Sequence, residues 1–168
     1  MKRKVELWDV AGQILDAVGN GVLLTTAADG KVNTMTIGWG TLGIQWGKPI
    51  FIAFVRQSRF TKELLEKNPE FTVNVPYGAF DKSVLGVCGT KSGRDMDKFS
   101  QLGLTQEPAE KISVPGIREF PLTLECKVIY SQEQIPEAIA PENLTRYYPN
   151  GDIHTAYYGQ VMDAYIIE

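Results

Sequence analysis

Two guanidinium groups and two hydroxyl groups fall within six positions where an apolar segment gives way to an amphipathic one. The apolar residues 50–55 ("IFIAFV") predict a buried strand, and Arg56, Ser58, Arg59 and Thr61 follow at the start of a predicted helix. The unpaired N–H groups and the dipole of a helix N-terminus favour an anion. Guanidinium groups bind phosphate in pairs of hydrogen bonds, and hydroxyls add donors. The segment predicts a phosphate site; the alternative is an ordinary helix start, with a capping Ser58 and solvated arginines.

A second segment, "NTMTIGWG", separates bulky from small side chains if it forms a strand. The bulky face would hold Met35, Ile37 and Trp39, and the opposite face Thr34, Thr36, Gly38 and Gly40. A small, polar face with accessible backbone suits a flat ring lying edge-on to main-chain N–H groups. The alternative is a strand with solvated threonines and glycines at bulges.

A third segment, "CGTKSGRDMDKF", differs from a nucleotide triphosphate loop, because that motif needs glycine directly before lysine and Thr90 stands there. Gly89, Lys91, Ser92 and Gly93 are still expected to form a turn whose N–H groups and ammonium contact a ligand. The alternative is a simple helix cap at Ser92.

Composition and charge exclude several classes of protein. The length of 168 residues favours one domain, and a net charge of -3 argues against a general nucleic-acid binder. No apolar run approaches the ~20 residues that span a bilayer, and no signal-peptide core follows the basic N-terminus, so we expect a cytoplasmic protein without a membrane partner. Cys88 and Cys126 are expected to be reduced and buried.

His154 is the only histidine, so a histidine-based metal cluster within one chain is excluded, and we expect no metal site. No G-x-S-x-G motif accompanies it, which disfavours a serine hydrolase. A structural role is the commoner one for a lone histidine.

The hydrophobic pattern predicts a mainly β protein with peripheral helices, arranged as an antiparallel barrel. An amphipathic helix is expected over residues 8–18, a hairpin at Asp29-Gly30, and two short helices within residues 80–101. Alternating strands are expected at 71–75 and 122–130, and a final strand at 157–167. Residues 105–117 and 132–152 are expected to be irregular.

In this order, the three segments resemble the flavin reductase-like family of FMN-binding split barrels, which includes flavoredoxins. The resemblance covers nearly the whole chain and implies a single flavin reductase-like domain over 1–168, an antiparallel split β-barrel that forms a homodimer with FMN near the interface. By this resemblance, Thr34, Met35, Thr36 and Ile37 would flank the flavin ring. The phosphate would be held by Arg56, Ser58, Arg59 and Thr61, with Gly89, Lys91 and Ser92 closing over it.

The resemblance also implies an oxidoreductase in which FMN accepts hydride from NADH or NADPH and passes electrons to free flavin, ferric iron or a protein. Hydride transfer needs no side-chain acid or base, so no conventional catalytic residue is expected, and His154 would at most contact the flavin or the nicotinamide. One alternative is a flavoredoxin-type electron carrier that receives electrons from a redox protein, without NAD(P)H oxidase activity. The second alternative is a non-enzymatic FMN-binding protein, and the third is an interaction module that docks an acidic partner.

Overall fold

Ten strands and five α-helices make up the chain, and the computed structural model describes all of residues 1–168. The helices are α1 (Leu7–Asn20), α2 (Phe60–Lys67), α3 (Ser83–Thr90), α4 (Lys98–Leu102) and α5 (Pro141–Tyr147), with a short 3-10 helix at Pro136–Ala138. The strands are β1 (Lys2–Lys4), β2 (Val22–Ala28), β3 (Lys31–Ile37), β4 (Gly40–Gln45), β5 (Lys48–Arg56), β6 (Glu70–Val75), β7 (Gln106–Glu107), β8 (Gly116–Ile117), β9 (Leu122–Glu133) and β10 (His154–Ile167).

Eight of the strands form one antiparallel sheet that does not close. Its order is β3-β2-β6-β9-β10-β5-β4, and β1 pairs with β10 outside this path. Strands β3 and β4 follow each other in sequence, yet they form opposite edges of the sheet. Only Gly38 and Trp39 connect them. The barrel is therefore split between two strands that are neighbours in the chain.

Two tight turns fix the hairpins on either side of the split. Asp29 and Gly30 join β2 to β3 with φ angles of 52° and 75°, and Trp46 and Gly47 join β4 to β5 with 53° and 66°. Two successive positive φ angles match the right-handed twist of the flanking strands, which explains the glycine at each second position. The first turn was predicted from the sequence; the second was not.

The larger hydrophobic core fills the barrel, and a smaller one lies beneath α3 and α4. The barrel core includes Phe51 and Phe71 from the sheet and Ile14 from α1, all fully buried. The second core groups seven buried side chains, among them Cys88 and Phe99. Both cysteines are free and buried, as expected. No helix is long and apolar enough to cross a membrane.

The prediction of an antiparallel β fold with peripheral helices is confirmed, with corrections to individual elements. The prediction of one strand from residue 33 through Gly40 is wrong, because β3 ends at Ile37 and the chain turns through Gly38 and Trp39 into β4. The segment predicted as irregular over 132–152 contains α5, which begins at Pro141, and the segment over 105–117 contains the short β7–β8 pair. The final strand begins at His154, three residues earlier than predicted.

Candidate functional site

A cleft lies at the split of the barrel, beside the connection between β3 and β4. We call it the Trp39 cleft; its volume is about 180 Å³. Its walls come from β3, from the Gly38–Trp39 connection, from the end of β5 and from the cap residue of α2, with one residue from the start of β10. The nine lining residues are Met35, Thr36, Ile37, Gly38, Trp39, Phe54, Arg56, Arg59 and His154.

Strand β3 presents an unpaired edge at this cleft. It pairs only with β2, so the backbone groups on its other side have no strand partner. The Thr34 carbonyl lies on that side, because Lys98 Nζ donates to it at 2.8 Å. Since backbone groups alternate along a strand, the N–H and C=O of Thr36 point to the same side. Thr36 therefore offers a backbone donor and acceptor to a molecule in the Trp39 cleft.

The threonine hydroxyls of β3 are already engaged within the protein. Thr34 is fully buried, and its hydroxyl donates to the carbonyl of Leu24 at 3.2 Å. The Thr36 hydroxyl donates to the carbonyl of Leu85 in α3 at 2.6 Å. The polar face of β3 thus packs against its neighbours, and only its backbone edge remains available to a ligand.

Arg56 is tied to the segment that precedes β10. Its Nη1 donates to the carbonyl of Asp152 at 3.0 Å and its Nη2 to that of Tyr147 at 3.2 Å. The guanidinium also lies over the Tyr148 ring, 5.1 Å from its centroid. The register of β5 with β10 sets Arg56 opposite His154. Arg56 therefore braces this wall of the cleft.

Ser58 already binds an anionic group of the protein itself. Its backbone N–H donates to Asp152 Oδ1 at 2.9 Å, and its hydroxyl donates to Asp152 Oδ2 at 2.7 Å. Burial acts to raise the pKa of Asp152, but the Ser58 hydrogen bonds and the nearby arginines outweigh it and lower that pKa below the ordinary value. The cap position of α2 is Arg59 rather than Ser58, and no side chain caps the helix.

Arg59, in contrast, makes no hydrogen bond or ion pair through its guanidinium. It lines the Trp39 cleft and also a second one, the basic cleft, and Met35 lines both. The two clefts therefore adjoin each other at Arg59 and Met35. This unpaired cation stands at their junction, beside the N-terminus of α2.

The basic cleft, of about 90 Å³, is bounded by the α2 N-terminus and by the loop between α3 and α4. No acidic residue lines it. Arg94 Nε donates to Glu63 Oε1 at 3.0 Å, which compensates the Arg94 charge, and Arg94 Nη1 donates to the carbonyl of Ser58 at 3.1 Å. The lining residues are Asn33, Met35, Ser58, Arg59, Phe60, Thr61, Cys88, Lys91, Ser92, Gly93, Arg94 and Lys98.

Lys98 is a cation in the interior of the protein, because its side chain is 3% exposed. Its ammonium donates to the carbonyls of Thr34 at 2.8 Å and Cys88 at 3.2 Å, so one of its three N–H groups has no protein partner. Burial lowers the pKa of Lys98, and the charge of Arg59 acts in the same direction. An anion in the basic cleft would favour the protonated form.

His154 closes one side of the Trp39 cleft as a neutral imidazole. Burial, aided by the Arg56 charge, lowers its pKa to about 4. Its Nδ1 lies 2.6 Å from the Tyr148 hydroxyl, which is also 2.9 Å from Gln134 Oε1. The Trp39 ring lies 5.1 Å from the imidazole centroid. These contacts fix the orientation of the ring without giving it a charge near neutral pH.

The structure brings together most of the residues singled out in the sequence. Two of them line neither cleft: Thr34 is buried, and Gly89 faces Thr36, since a Cβ added to Gly89 would lie 3.4 Å from Thr36 Cβ. The residues that line one cleft or both are Met35, Thr36, Ile37, Arg56, Ser58, Arg59, Thr61, Lys91 and Ser92. Their roles towards a ligand remain predictions.

Sequence reasoning missed several residues of the site. Asn33 and Lys98 lie inside the second and third quoted segments, but both are buried polar residues whose types more often indicate exposure, so neither was singled out. Asp152 is remote in sequence from Ser58. Arg94 also lies inside the third segment, "CGTKSGRDMDKF", where its position beside Lys91 and Ser92 was a usable signal. No group of three or more His, Cys, Asp or Glu side chains converges as a metal site would require.

The chain was matched in sequence and in structure to known proteins. An uncharacterized protein of Archaeoglobus fulgidus is 33% identical over 103 residues, which are 61% of this chain and 57% of that protein. The chain therefore spans less than two thirds of the length of this relative. Flavoredoxin of Desulfovibrio vulgaris (Miyazaki F) is 26% identical with a TM-score of 0.70, over 88% of this chain and 69% of its own.

A further solved structure is described as an FMN-binding domain of a flavin reductases-like enzyme from Shewanella baltica OS155. Its TM-score is 0.70 at 19% identity, over 99% of this chain and 78% of that one, so the likeness shows the fold alone. The predicted split-barrel fold is confirmed by these neighbours and by the open sheet. The family model of the flavin reductase like domain matches residues 15–168. The chain therefore belongs to the flavin reductase-like domain family.

Proposed function

We propose that this chain is an FMN-binding flavoprotein oxidoreductase. The observation that carries the proposal is a pair of adjoining clefts, since the Trp39 cleft and the basic cleft share Arg59 and Met35. One end offers an open strand edge and aromatic walls, and the other offers cations with no acidic lining residue. FMN has the same division, with a flat polar-edged ring at one end and a phosphate at the other.

The basic cleft fits the phosphate in charge and in donors. A phosphomonoester carries about -1.5 to -2 charge at neutral pH. Arg59 and Lys91 have no carboxylate partner, and Lys98 keeps one N–H group free. The N-terminus of α2 adds its dipole. We infer that Arg59 contacts the phosphate, whereas Arg56 positions the wall, since the Arg56 guanidinium is already hydrogen-bonded to two carbonyls.

The Trp39 cleft fits the ring through backbone rather than side chains. The outward N–H and C=O of Thr36 match the alternating donors and acceptors on the polar edge of a flavin. Met35, Ile37 and Phe54 supply apolar walls. When bound, FMN would supply the hydride and electron chemistry itself. The protein's residues bind, orient and shield it, and neutral His154 adds no charge beside the ring.

The electron donor and acceptor form a finer part of the proposal. We propose NADH or NADPH as donor, and free flavin, ferric iron or a protein as acceptor. The likeness to a flavoredoxin favours a second candidate, an electron carrier that receives electrons from a redox protein. We also propose that the chain acts in the cytoplasm as a single domain over 1–168 that forms a homodimer, as the family resemblance implies.

The test is a titration of flavin-free protein with FMN, followed by anaerobic spectroscopy. We expect saturable FMN binding and a protein-bound flavin spectrum. Bleaching on addition of NADH or NADPH supports the reductase, whereas bleaching only by a reduced redox protein supports the carrier. A protein that takes up no FMN contradicts the proposal as a whole. Light scattering of the loaded protein tests the dimer independently.

A further inference from the structure

A third cleft, here called the uncharged cleft, adjoins the Trp39 cleft and shares Gly38, Trp39 and Phe54 with it. Its volume is about 440 Å³, within the range of small-molecule sites. Leu15 of α1 forms part of the wall, and Gln134 lies at the polar end. A molecule bound in it would therefore lie directly beside the contents of the Trp39 cleft.

None of the ten residues that line this cleft carries a formal charge. The basic cleft nearby contains four basic residues, Arg59, Lys91, Arg94 and Lys98. This contrast matters because an ionised ligand needs an opposite charge when it leaves water. The diphosphate of a nicotinamide dinucleotide would find no cation in the uncharged cleft, and neither would an anionic ferric chelate. The occupant that fits is neutral.

The cleft also has one polar end, formed by Gln134 and Tyr148. The Tyr148 hydroxyl lies 2.9 Å from Gln134 Oε1 and 2.6 Å from His154 Nδ1, so its hydrogen-bonding capacity is taken. Gln134 Nε2 has no partner within the protein. A carboxamide N–H without a protein partner, in a cleft walled by Leu15, Trp39 and Phe54, is a donor for a carbonyl oxygen.

We propose that the uncharged cleft binds a neutral, planar carbonyl compound of the quinone class. Apolar faces contact the side chains of Leu15, Trp39 and Phe54, and the carbonyl accepts from Gln134. A role for this compound as the redox substrate beside FMN rests on the proposed function, whereas the binding itself does not.

The test measures ligand binding by calorimetry with flavin-free and FMN-loaded protein. The probes are naphthoquinone, its anionic sulfonate and NADPH. We expect saturable binding of naphthoquinone to both forms, and at least tenfold weaker binding of the sulfonate. Leu15→Glu, which introduces a carboxylate at a 44% exposed position, should weaken naphthoquinone binding by about tenfold or more. Ile44→Glu is the matched control, because Ile44 is an exposed apolar residue outside the cleft and its substitution should leave affinity unchanged.

Several outcomes would overturn the proposal. They are absence of saturable naphthoquinone binding, equal affinity for the sulfonate, displacement of naphthoquinone from flavin-free protein by NADPH, or no effect of Leu15→Glu. Conversion of a dimer to a monomer by Leu15→Glu in light scattering would assign the cleft to a subunit interface instead. FMN uptake, measured separately, keeps the two proposals distinct. Naphthoquinone binding without FMN uptake refutes only the proposed function, and the reverse refutes only this inference.

Discussion

Replacement of Arg59 by alanine is expected to weaken FMN binding through loss of a phosphate contact. In the structure, the Arg59 guanidinium lines both the Trp39 cleft and the basic cleft and has no hydrogen-bond partner. Its removal leaves no protein carbonyl or carboxylate unpaired, so we expect little change in the free energy of unfolding.

The magnitude follows from the kind of contact that is lost. A hydrogen bond to a charged group contributes about 1.5–3 kcal/mol, and an arginine–phosphate pair belongs to the stronger kind. At about 1.4 kcal/mol per tenfold change, the dissociation constant should rise by roughly ten- to 150-fold. Arg59 is partly buried, so screening of its charge by solvent and salt should not abolish the loss of FMN affinity.

The assay is fluorescence titration of flavin-free protein with FMN and with riboflavin, which has the same ring but no phosphate. Arg59→Ala should weaken FMN binding and leave riboflavin binding nearly unchanged. Equal losses for the two ligands would mean that Arg59 contacts the ring or supports the fold, and unchanged FMN affinity would refute the phosphate assignment.

Arg56→Ala provides the matched control. Its guanidinium bonds two backbone carbonyls and lies over Tyr148, so its loss should lower the free energy of unfolding by about 1–3 kcal/mol. Any effect on affinity should be similar for FMN and riboflavin. The opposite pattern, with Arg56 specific for FMN and Arg59 without effect, would contradict the reasoning from the hydrogen bonds.

Three further predictions concern the walls of the two clefts. Gly93→Ala should destabilise the α3–α4 loop and weaken FMN binding, because the alanine Cβ would overlap the Asn33 amide. Urea unfolding and FMN titration of the variant test this, and a variant as stable as the unchanged protein contradicts it. Gly38→Val should lower flavin content more than stability, since Gly38 lines the Trp39 cleft and the added Cβ meets only the Val18 carbonyl oxygen, at 3.9 Å. Circular dichroism beside flavin content decides, and parallel losses would make Gly38 a fold residue. The His154 pKa is lowered to about 4 from 6.5, so the unfolded chain takes up the proton at a higher pH than the folded protein does. The free energy of unfolding should therefore fall by up to about 3 kcal/mol as pH drops from 6.5 towards 4. Urea unfolding at several pH values should show this slope and His154→Gln should lose it, so an equal slope in the variant would assign the pH effect to another group.

Local patterns in the sequence were enough to predict the main elements and the grouping of much of the site. The apolar run before Arg56 and the amphipathic segment after it give the β5–α2 junction, and Asp29-Gly30 gives the β2–β3 hairpin. Each of these signals involves residues that are close in sequence, which is where hydrophobic periodicity and turn chemistry act.

The parts that could not be predicted depend on residues far apart in the chain. Asp152 takes both donors of Ser58, which was expected to face a ligand. The carbonyls of Asp152 and Tyr147 accept from Arg56, which makes that arginine a brace and leaves Arg59 as the unpaired cation. Burial of Lys98 depends on the packing of α4 against β3, and no pattern of its own neighbours indicates it. The end of β3 at Ile37 was missed because alternation continues through Trp39, although the chain turns there.

The open edge of β3 also bears on the colloidal behaviour of the protein. An unpaired strand edge is a template on which a strand of another molecule can add, and proteins with open sheets block such edges. Here Lys98 covers the Thr34 carbonyl from within, and the adjacent Thr36 groups stay open. With FMN bound along that edge, the ring would occupy the groups that a foreign strand needs. The cofactor would then protect the sheet against aggregation, and flavin-free protein should be the form that precipitates first on concentration.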